Sequence, residues 1–454
     1  MFNKKPKTNM ELEIAEQAKI IPYILMKYIN PETGELKLDL PENITKIVLV
    51  ASGSSYHCAR FAVDLLEKIS KIESRAIYSS EFLLKNVIPH DENTLYIFIT
   101  QSGETSDTLK SVEKVKSLSN LPTLCITNNE ASTIWKMCDY KVACYAGVEQ
   151  GIAATKSFTS QMLCLILISL KLVENVHGIS ATGEYKKSLF SLPIIIEKAL
   201  ARRDDIRDLA HYLSKENLIV ITADGISYSL AKEACLKIKE TSYKNITAAI
   251  LGEFMHGHVA VFNNKGVLIY IAVDSISKRS VSNLQKIKAD YKPKLVIIGP
   301  SSDELKPDYN INIVCENEIQ QMFADVLICQ QLALEIALKL KRNVDHPRGL
   351  HKVVVDKNVW YPPAFVTFAK LKNDCDLPNK GGWVTLPFTC FFFLVSCCFC
   401  IDCVASRTKF LRKHKHVTLN VCNVVHCFQH FFWVYHWFHC FVVINFFISV
   451  FFYE

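Results

Sequence analysis

The sequence predicts an α/β protein: two tandem domains, each a parallel sheet flanked by helices on both faces. Three observations carry that prediction. Strand-like runs such as Leu95-Tyr-Ile-Phe-Ile99 and Val267-Leu-Ile-Tyr-Ile-Ala272 are apolar without polar alternation, as expected of strands covered on both sides. Turns and stretches of helical period follow the strands, the order that builds parallel sheets. The pattern also occurs twice. Gly53 in Lys46-Ile-Val-Leu-Val-Ala-Ser-Gly-Ser-Ser-Tyr56 and Gly225 in Asn217-Leu-Ile-Val-Ile-Thr-Ala-Asp-Gly-Ile-Ser-Tyr228 lie 172 residues apart. At that offset Leu95 to Thr100 corresponds to Val267 to Ala272, and one residue off it Leu124-Cys-Ile-Thr127 corresponds to Leu295-Val-Ile-Ile298.

The elements follow in order. Residues 1–29 read as a helical lead, because Met10-Glu-Leu-Glu-Ile-Ala-Glu16 is acidic and helical. The first copy is expected over 30–185 and opens with the strand from Lys46 and the turn Ser52 to Ser55. Its next strand runs into Thr100-Gln-Ser-Gly-Glu-Thr-Ser-Asp-Thr108, where Gly103 permits a tight turn. Asp107 to Lys116 then continues at helical period with Leu109, Val112 and Val115 on one face. Gln161 to Leu172 is apolar nearly all round; it must be buried, between the copies or at a subunit interface, and is too short to span a membrane. The polar stretch Glu184-Tyr-Lys-Lys-Ser188 is expected to join the copies. The second copy is expected over 195–356, with a helix from Ala231 to Tyr243 that buries Ala231, Ala234, Cys235 and Ile238.

A chain of 454 residues holds two or three domains, and a net charge of +7 spread along it argues against nucleic acid as a partner. Basic Met1-Phe-Asn-Lys-Lys-Pro-Lys7 leads into the acidic helix rather than an apolar signal core, so a cytoplasmic location is expected. Eight cysteines, Cys58, Cys125, Cys138, Cys144, Cys164, Cys235, Cys315 and Cys329, are scattered singly and read as buried reduced thiols.

The turn at Thr100 to Thr108 is built to grip a phosphate. Unpaired N–H groups and the helix dipole favour an anion at a helix start, and Thr100, Ser102 and Thr105 add hydroxyls. No lysine lies in the loop, so a single sugar phosphate fits better than a nucleoside triphosphate. On the helix from Ala231, Glu233, Lys237 and Glu240 fall in one line. Spacing alone makes them a solvated Glu–Lys ladder. With His256, in the loop Leu251-Gly-Glu-Phe-Met-His-Gly-His258, they also make the equipment to move a proton between adjacent sugar carbons.

Six segments together resemble one enzyme family. They are Ala51-Ser-Gly-Ser-Ser-Tyr-His57, Thr100 to Thr108, Glu149-Gln-Gly-Ile-Ala-Ala-Thr-Lys-Ser-Phe-Thr159, Leu236-Lys-Ile-Lys-Glu-Thr-Ser-Tyr243, Gly252-Glu-Phe-Met-His-Gly257 and Asp345-His-Pro-Arg-Gly-Leu-His-Lys352. They resemble, in order through about residues 12 to 356, the isomerase half of glucosamine-6-phosphate synthase (glutamine–fructose-6-phosphate aminotransferase), which is built of two sugar-isomerase (SIS) domains. The resemblance implies that Ser55, Gln101, Ser102, Thr105, Thr100 and Ile152 hold the phosphate and sugar. It implies Glu240 as the base between C1 and C2, with Lys237 and Glu233 in support. His256 is implied to assist ring opening from the neighbouring subunit of a homodimer, and Lys352 to close over the sugar. No metal or organic cofactor is implied. Ala154 stands where the family has serine, and His258 where it has proline.

Met1-Phe2 leads almost at once into the isomerase half, so a glutaminase domain and use of glutamine by the chain itself are not expected. The site then suits an amino-sugar-phosphate isomerase or deaminase, a fructosamine-phosphate deglycase, or an enzyme taking ammonia from solution or a separate donor. A non-catalytic sugar-phosphate sensor is the competing class; Glu240, His256 and Lys352 together favour an enzyme.

After Asp356 the character changes. Fifteen of 26 phenylalanines and nine of 17 cysteines fall beyond residue 370, and the 38 residues His416 to Tyr453 contain no Asp, Glu, Lys or Arg. Residues 357–454 are expected to lie outside the fold, as translated non-coding or frame-shifted sequence. The alternative is a membrane anchor, His430 to Tyr453, behind the basic knot Arg407 to Lys415. A zinc site at Cys400, Cys403, His414 and His416 is disfavoured by its loose spacing.

Overall fold

The computed structural model describes residues 8–353, apart from 90, 118–120 and 263. The Phe- and Cys-rich tail, with the anchor and zinc readings placed on it, lies outside the described residues.

Helix α1 (Asn9–Tyr28) opens the fold and is more than a lead. Its N-terminus is capped twice: the Thr8 hydroxyl accepts from the Glu11 N–H at 3.1 Å, and the Asp345 carboxylate accepts from the N–H groups of Asn9 and Met10 at 2.8 and 2.9 Å. Met10, Ile14, Ile21 and Ile24 are buried, and the helix packs against three core helices described below.

The first sheet comes from β1 (Lys46–Ala51), α2 (Gly53–Ile69), β2 (Glu73–Tyr78), α3 (Ser79–Leu84), β3 (Thr94–Thr100), α4 (Ser106–Lys116), β4 (Thr123–Thr127), α5 (Thr133–Met137) and β5 (Tyr140–Ala143). Four helices follow: α6 (Lys156–His177), α7 (Gly183–Phe190), α8 (Leu192–Ala201) and α9 (Arg203–Lys215). The second sheet uses β6 (Ile219–Ala223), α10 (Ser227–Ser242), β7 (Ile246–Ile250), α11 (Leu251–Phe254), β8 (Val267–Ile271), α12 (Lys278–Tyr291), β9 (Lys294–Ile298) and β10 (Tyr309–Ile311), and α13 (Glu318–Lys339) closes the body.

Both sheets are five-stranded and parallel, in the orders β2-β1-β3-β4-β5 and β7-β6-β8-β9-β10. The order is the same in each copy, as the sequence repeat predicts. In each, the loops leaving the first and third strands part to opposite faces and open a crevice at the strands' carboxyl ends. Register fixes its floor: Ala51 pairs with Ile99, which sets Ser52 and Thr100 at one level, and Ala223 pairs with Ile271 in the second copy.

Helices α6 and α13 form the centre. Each is 22 residues long and apolar enough by length and composition to cross a membrane, yet 89% and 94% of their most apolar windows are buried inside the protein. They are core helices, all-round apolar because they are covered all round. Helix α6 packs on α1 and α2; α13 packs on α8, α9 and α10; α2 and α10, equivalent helices of the two copies, pack on each other. One chain of buried amides links the core helices: Gln17 of α1 accepts from the Thr159 hydroxyl and donates to Gln330 of α13, both at 2.7 Å, and Gln330 donates to the Thr155 carbonyl at 3.1 Å.

The stretch expected to join the copies forms the body of α7. Lys186 is buried there, with its ammonium 2.7 Å from Glu174 and 2.8 Å from the Gly34 carbonyl.

Candidate active site

The turn expected to grip a phosphate leaves β3, whose seven residues are all buried. Gly103 has φ +72°, and a Cβ there would lie 2.1 Å from the Ser132 hydroxyl, so the position admits only glycine. Thr105 stands at the N-cap of α4, but its hydroxyl turns back to that of Thr100 at 2.9 Å instead of capping the helix. The first-turn N–H groups of α4 are thereby left without a side-chain cap, the arrangement that receives anions. Thr100 is buried and also accepts from the Gly103 N–H at 3.3 Å, so its hydroxyl braces the turn. Ser102 accepts from the Glu104 N–H at 3.1 Å. Gln101 borders the same turn, its carbonyl receiving the N–H of Asn128. Across the crevice, Ser55 lies in the first turn of α2, after Ser52 and Gly53.

A second wall is the loop from Glu149 to Thr155. The buried Glu149 carboxylate accepts from the N–H groups of Thr155 and Ser157, at 2.9 and 3.0 Å, and from the Ser157 hydroxyl at 2.7 Å. Burial opposes its charge, but Lys352, 2.6 Å away, and the Ser157 donors hold its carboxyl below the usual range. Glu13 of α1 accepts from the N–H groups of Gln150 and Gly151, and burial nonetheless pushes its carboxyl above the usual value. Lys352 also donates to the Gly151 carbonyl at 2.6 Å. The Ile152 N–H donates to the Asp345 carbonyl at 3.4 Å, which ties this loop to the segment carrying Lys352.

The third part is α10. Glu233, Lys237 and Glu240 do not form a solvated ladder: their side chains are 5%, 2% and 15% exposed, because α13 and α2 cover the line the sequence leaves bare. The Lys237 ammonium lies 3.3 Å from Glu233 and bonds directly to Glu240. Burial works against the ammonium, but the two carboxylates outweigh it and hold Lys237 charged above its ordinary range. Glu233 is held below the usual carboxylate range despite burial, by Lys237 first and His57 next. Glu240 is pushed above the usual range by burial, with Glu233 adding to the rise and Lys237 and Lys352 opposing it. One carboxylate is thus fixed in its ionised form while the other is poised to exchange a proton.

The structure therefore brings Glu233, Lys237 and Glu240 together, with Lys352 near enough to act on Glu240. His256 is exposed, just beyond α11, and stands outside this cluster. Sequence reasoning assigned no role to His57, whose Nδ1 lies 2.7 Å from Glu233, nor to Glu13 and Glu149. The signal for His57 was its place beside the crevice on α2, the helix that pairs with α10.

The SIS domain is matched twice, over residues 42–170 and 212–340, more than half of the chain. Glutamine–fructose-6-phosphate aminotransferase (isomerizing) of Helicobacter pylori is 32% identical over 324 residues, covering 70% of this chain and 54% of that protein. The enzyme of the same name from Chlamydia abortus is 29% identical over 351 residues, covering 75% and 57%. The chain thus spans a little over half the length of the curated relatives it matches. Among solved structures, the C-terminal domain of glucosamine-fructose-6-phosphate aminotransferase from Francisella tularensis aligns with a TM-score of 0.70 at 25% identity, covering 75% of this chain and 99% of that chain. A glucosamine-6-phosphate deaminase from Thermotoga maritima shares the fold, with a TM-score of 0.61 at 20% identity over 77% of this chain and 100% of that one. With two parallel sheets of one strand order, each carrying a match, and a body that aligns with an aminotransferase C-terminal domain nearly end to end, the chain belongs to the SIS domain family.

Proposed function

We propose that this chain is an enzyme that opens the ring of a hexose or hexosamine 6-phosphate and moves a proton between C1 and C2. The observation that carries the reading is the buried ladder on α10, which ends in a carboxyl pushed above its usual range, Glu240, beside a fixed ammonium, Lys237. A base poised upward takes a carbon-bound proton with more driving force than an ordinary surface carboxylate. Lys237 supplies fixed positive charge where the sugar oxygen becomes anionic as the proton leaves carbon. The phosphate lies across the crevice between the first turn of α2, with Ser55, and the turn from Gln101 to Thr105, and Ile152 lines the sugar. Lys352 leaves Glu149 to reach the open-chain sugar. His256, exposed here, serves ring opening from the neighbouring subunit of a homodimer. The carbon-bound proton is taken from one carbon and returned to its neighbour by the same carboxylate, while the hydroxyl proton of one carbon passes to the oxygen or nitrogen on the other as the carbonyl changes place, so the double bond and both protons are accounted for.

Names of relatives support a 6-phosphosugar and leave the direction of nitrogen transfer to experiment. The chain is offered fructose 6-phosphate with ammonium, glucosamine 6-phosphate, glucose 6-phosphate and a fructosamine phosphate in turn, and conversion of one identifies the reaction. Glu240→Gln is expected to keep sugar-phosphate binding and to lose roughly 10²–10⁴-fold in turnover. A rate within about threefold of wild type overturns the assignment of the base. Binding by the wild type with no conversion in any arm points instead to a sensor.

A further inference from the structure

We infer that His57 is a positioning residue that sets the proton affinity of Glu240 through Glu233, so that the first SIS domain tunes the base carried by the second. The inference rests on Glu240 being the base. His57 lies on α2 two residues beyond Ser55, and its side chain crosses to α10, where Nδ1 is 2.7 Å from Glu233 Oε2. Both side chains are almost fully buried, 8% and 5% exposed. Glu233 is ionised and so can only accept, which puts the histidine proton on Nδ1. Pinned through Oε2, Glu233 presents Oε1 to Lys237 at 3.3 Å, and Lys237 in turn holds Glu240. The other titratable groups around the pair are Cys58 on α2 and Cys329 on α13, both kept protonated by burial, and Lys352, whose charge reaches Glu240.

Without the imidazole, Glu233 keeps Lys237 and the Ser54 hydroxyl beside it but loses its hydrogen bond from His57, and a buried carboxylate that loses a donor gains proton affinity. The negative charge that helps raise the Glu240 carboxyl is then held less firmly, and Lys237 turns more toward Glu240. Glu240 becomes a weaker base. What the site requires at position 57 is an N–H at the δ position, which asparagine supplies and glutamine, one bond longer, does not.

The test is the pH dependence of kcat in the full chain for wild type, His57→Leu, His57→Asn, His57→Gln and Glu233→Gln. His57→Leu and His57→Gln are expected to lower kcat about tenfold or more, with the acid limb displaced to lower pH and KM for the sugar phosphate within about threefold. His57→Asn restores most of the rate and the limb, and His57→Leu adds little to Glu233→Gln. If the asparagine and glutamine variants are alike, or if variants lose thermal stability while the acid limb stays in place, the inference is overturned. Those two amide variants keep the comparison valid where leucine prevents folding. Full activity of Glu240→Gln would instead sink the reading of the base, independently of what His57 does.

Discussion

In the proposed role Glu240 must be ionised to take a proton from carbon, and its surroundings pull in both directions. Burial holds the carboxyl above its ordinary value of 4.5, while Lys237 draws it back. A base acts in its unprotonated form, so kcat/KM should fall as pH drops through a midpoint above that value. Replacing Lys237 with methionine removes the opposing ammonium, so the midpoint should move higher still and the rate fall. Initial rates between about pH 4 and 8 check both, and a profile that is flat across that range would refute the role. Spacing made the line of Glu233, Lys237 and Glu240 legible in the sequence. Their burial was not, because Ala231, Ala234, Cys235 and Ile238 already gave α10 a core face and nothing local announces a second one. The second face is covered by α13 and by α2, and the partner of Glu233 lies 176 residues away. No window of sequence spans that distance.

At the scale of elements, the segment 342–352 is held by the two ends of the chain's own helices. Tyr243 ends α10 in the left-handed region at φ +63°, its hydroxyl accepts from the Arg348 N–H at 2.8 Å, and its ring carries the Arg348 guanidinium at 4.4 Å. Asp345 caps α1. Asp345→Ala should therefore cost about 1 kcal/mol of stability, the usual penalty for a lost cap. It should also reduce kcat by about fivefold or more while sugar-phosphate binding persists, because Lys352 is carried on the freed segment. Thermal melts and steady-state rates measure the two effects, and an unchanged kcat would detach Lys352 from this anchorage. Neither contact was legible beforehand: residues 1–29 showed a helix but not its second cap, Asp345, which lies 335 and 336 residues away. The burial of Lys186 was hidden for a related reason: it reaches Glu174 and a backbone carbonyl inside the protein, and a buried lysine so paired looks like any other in sequence.

Over the whole molecule, the two SIS domains are not beads on a string. The described residues fall within one compact unit, and the Thr159, Gln17 and Gln330 ladder runs from α6 through α1 to α13, so breaking one domain leaves buried amides of the other unpaired. Calorimetry should show both domains melting in one transition, and Gln330→Leu should lower its midpoint without splitting it; two resolved transitions would contradict this picture. The doubled fold itself was legible, since the 172-residue offset and the unbroken apolar strands repeat without regard to what any one residue does. That same offset exposes where the copies have drifted. The position of His57 is held in the second copy by Ser229, and the position of Glu233 in the first by Phe61, both buried. Had a single copy simply dimerised with itself, each substitution would have landed on both sides of the contact at once, setting histidine or glutamate against its own image. Covalent fusion lifts that constraint: one lineage of the duplicated sequence was free to become an acid's partner while the other became the acid.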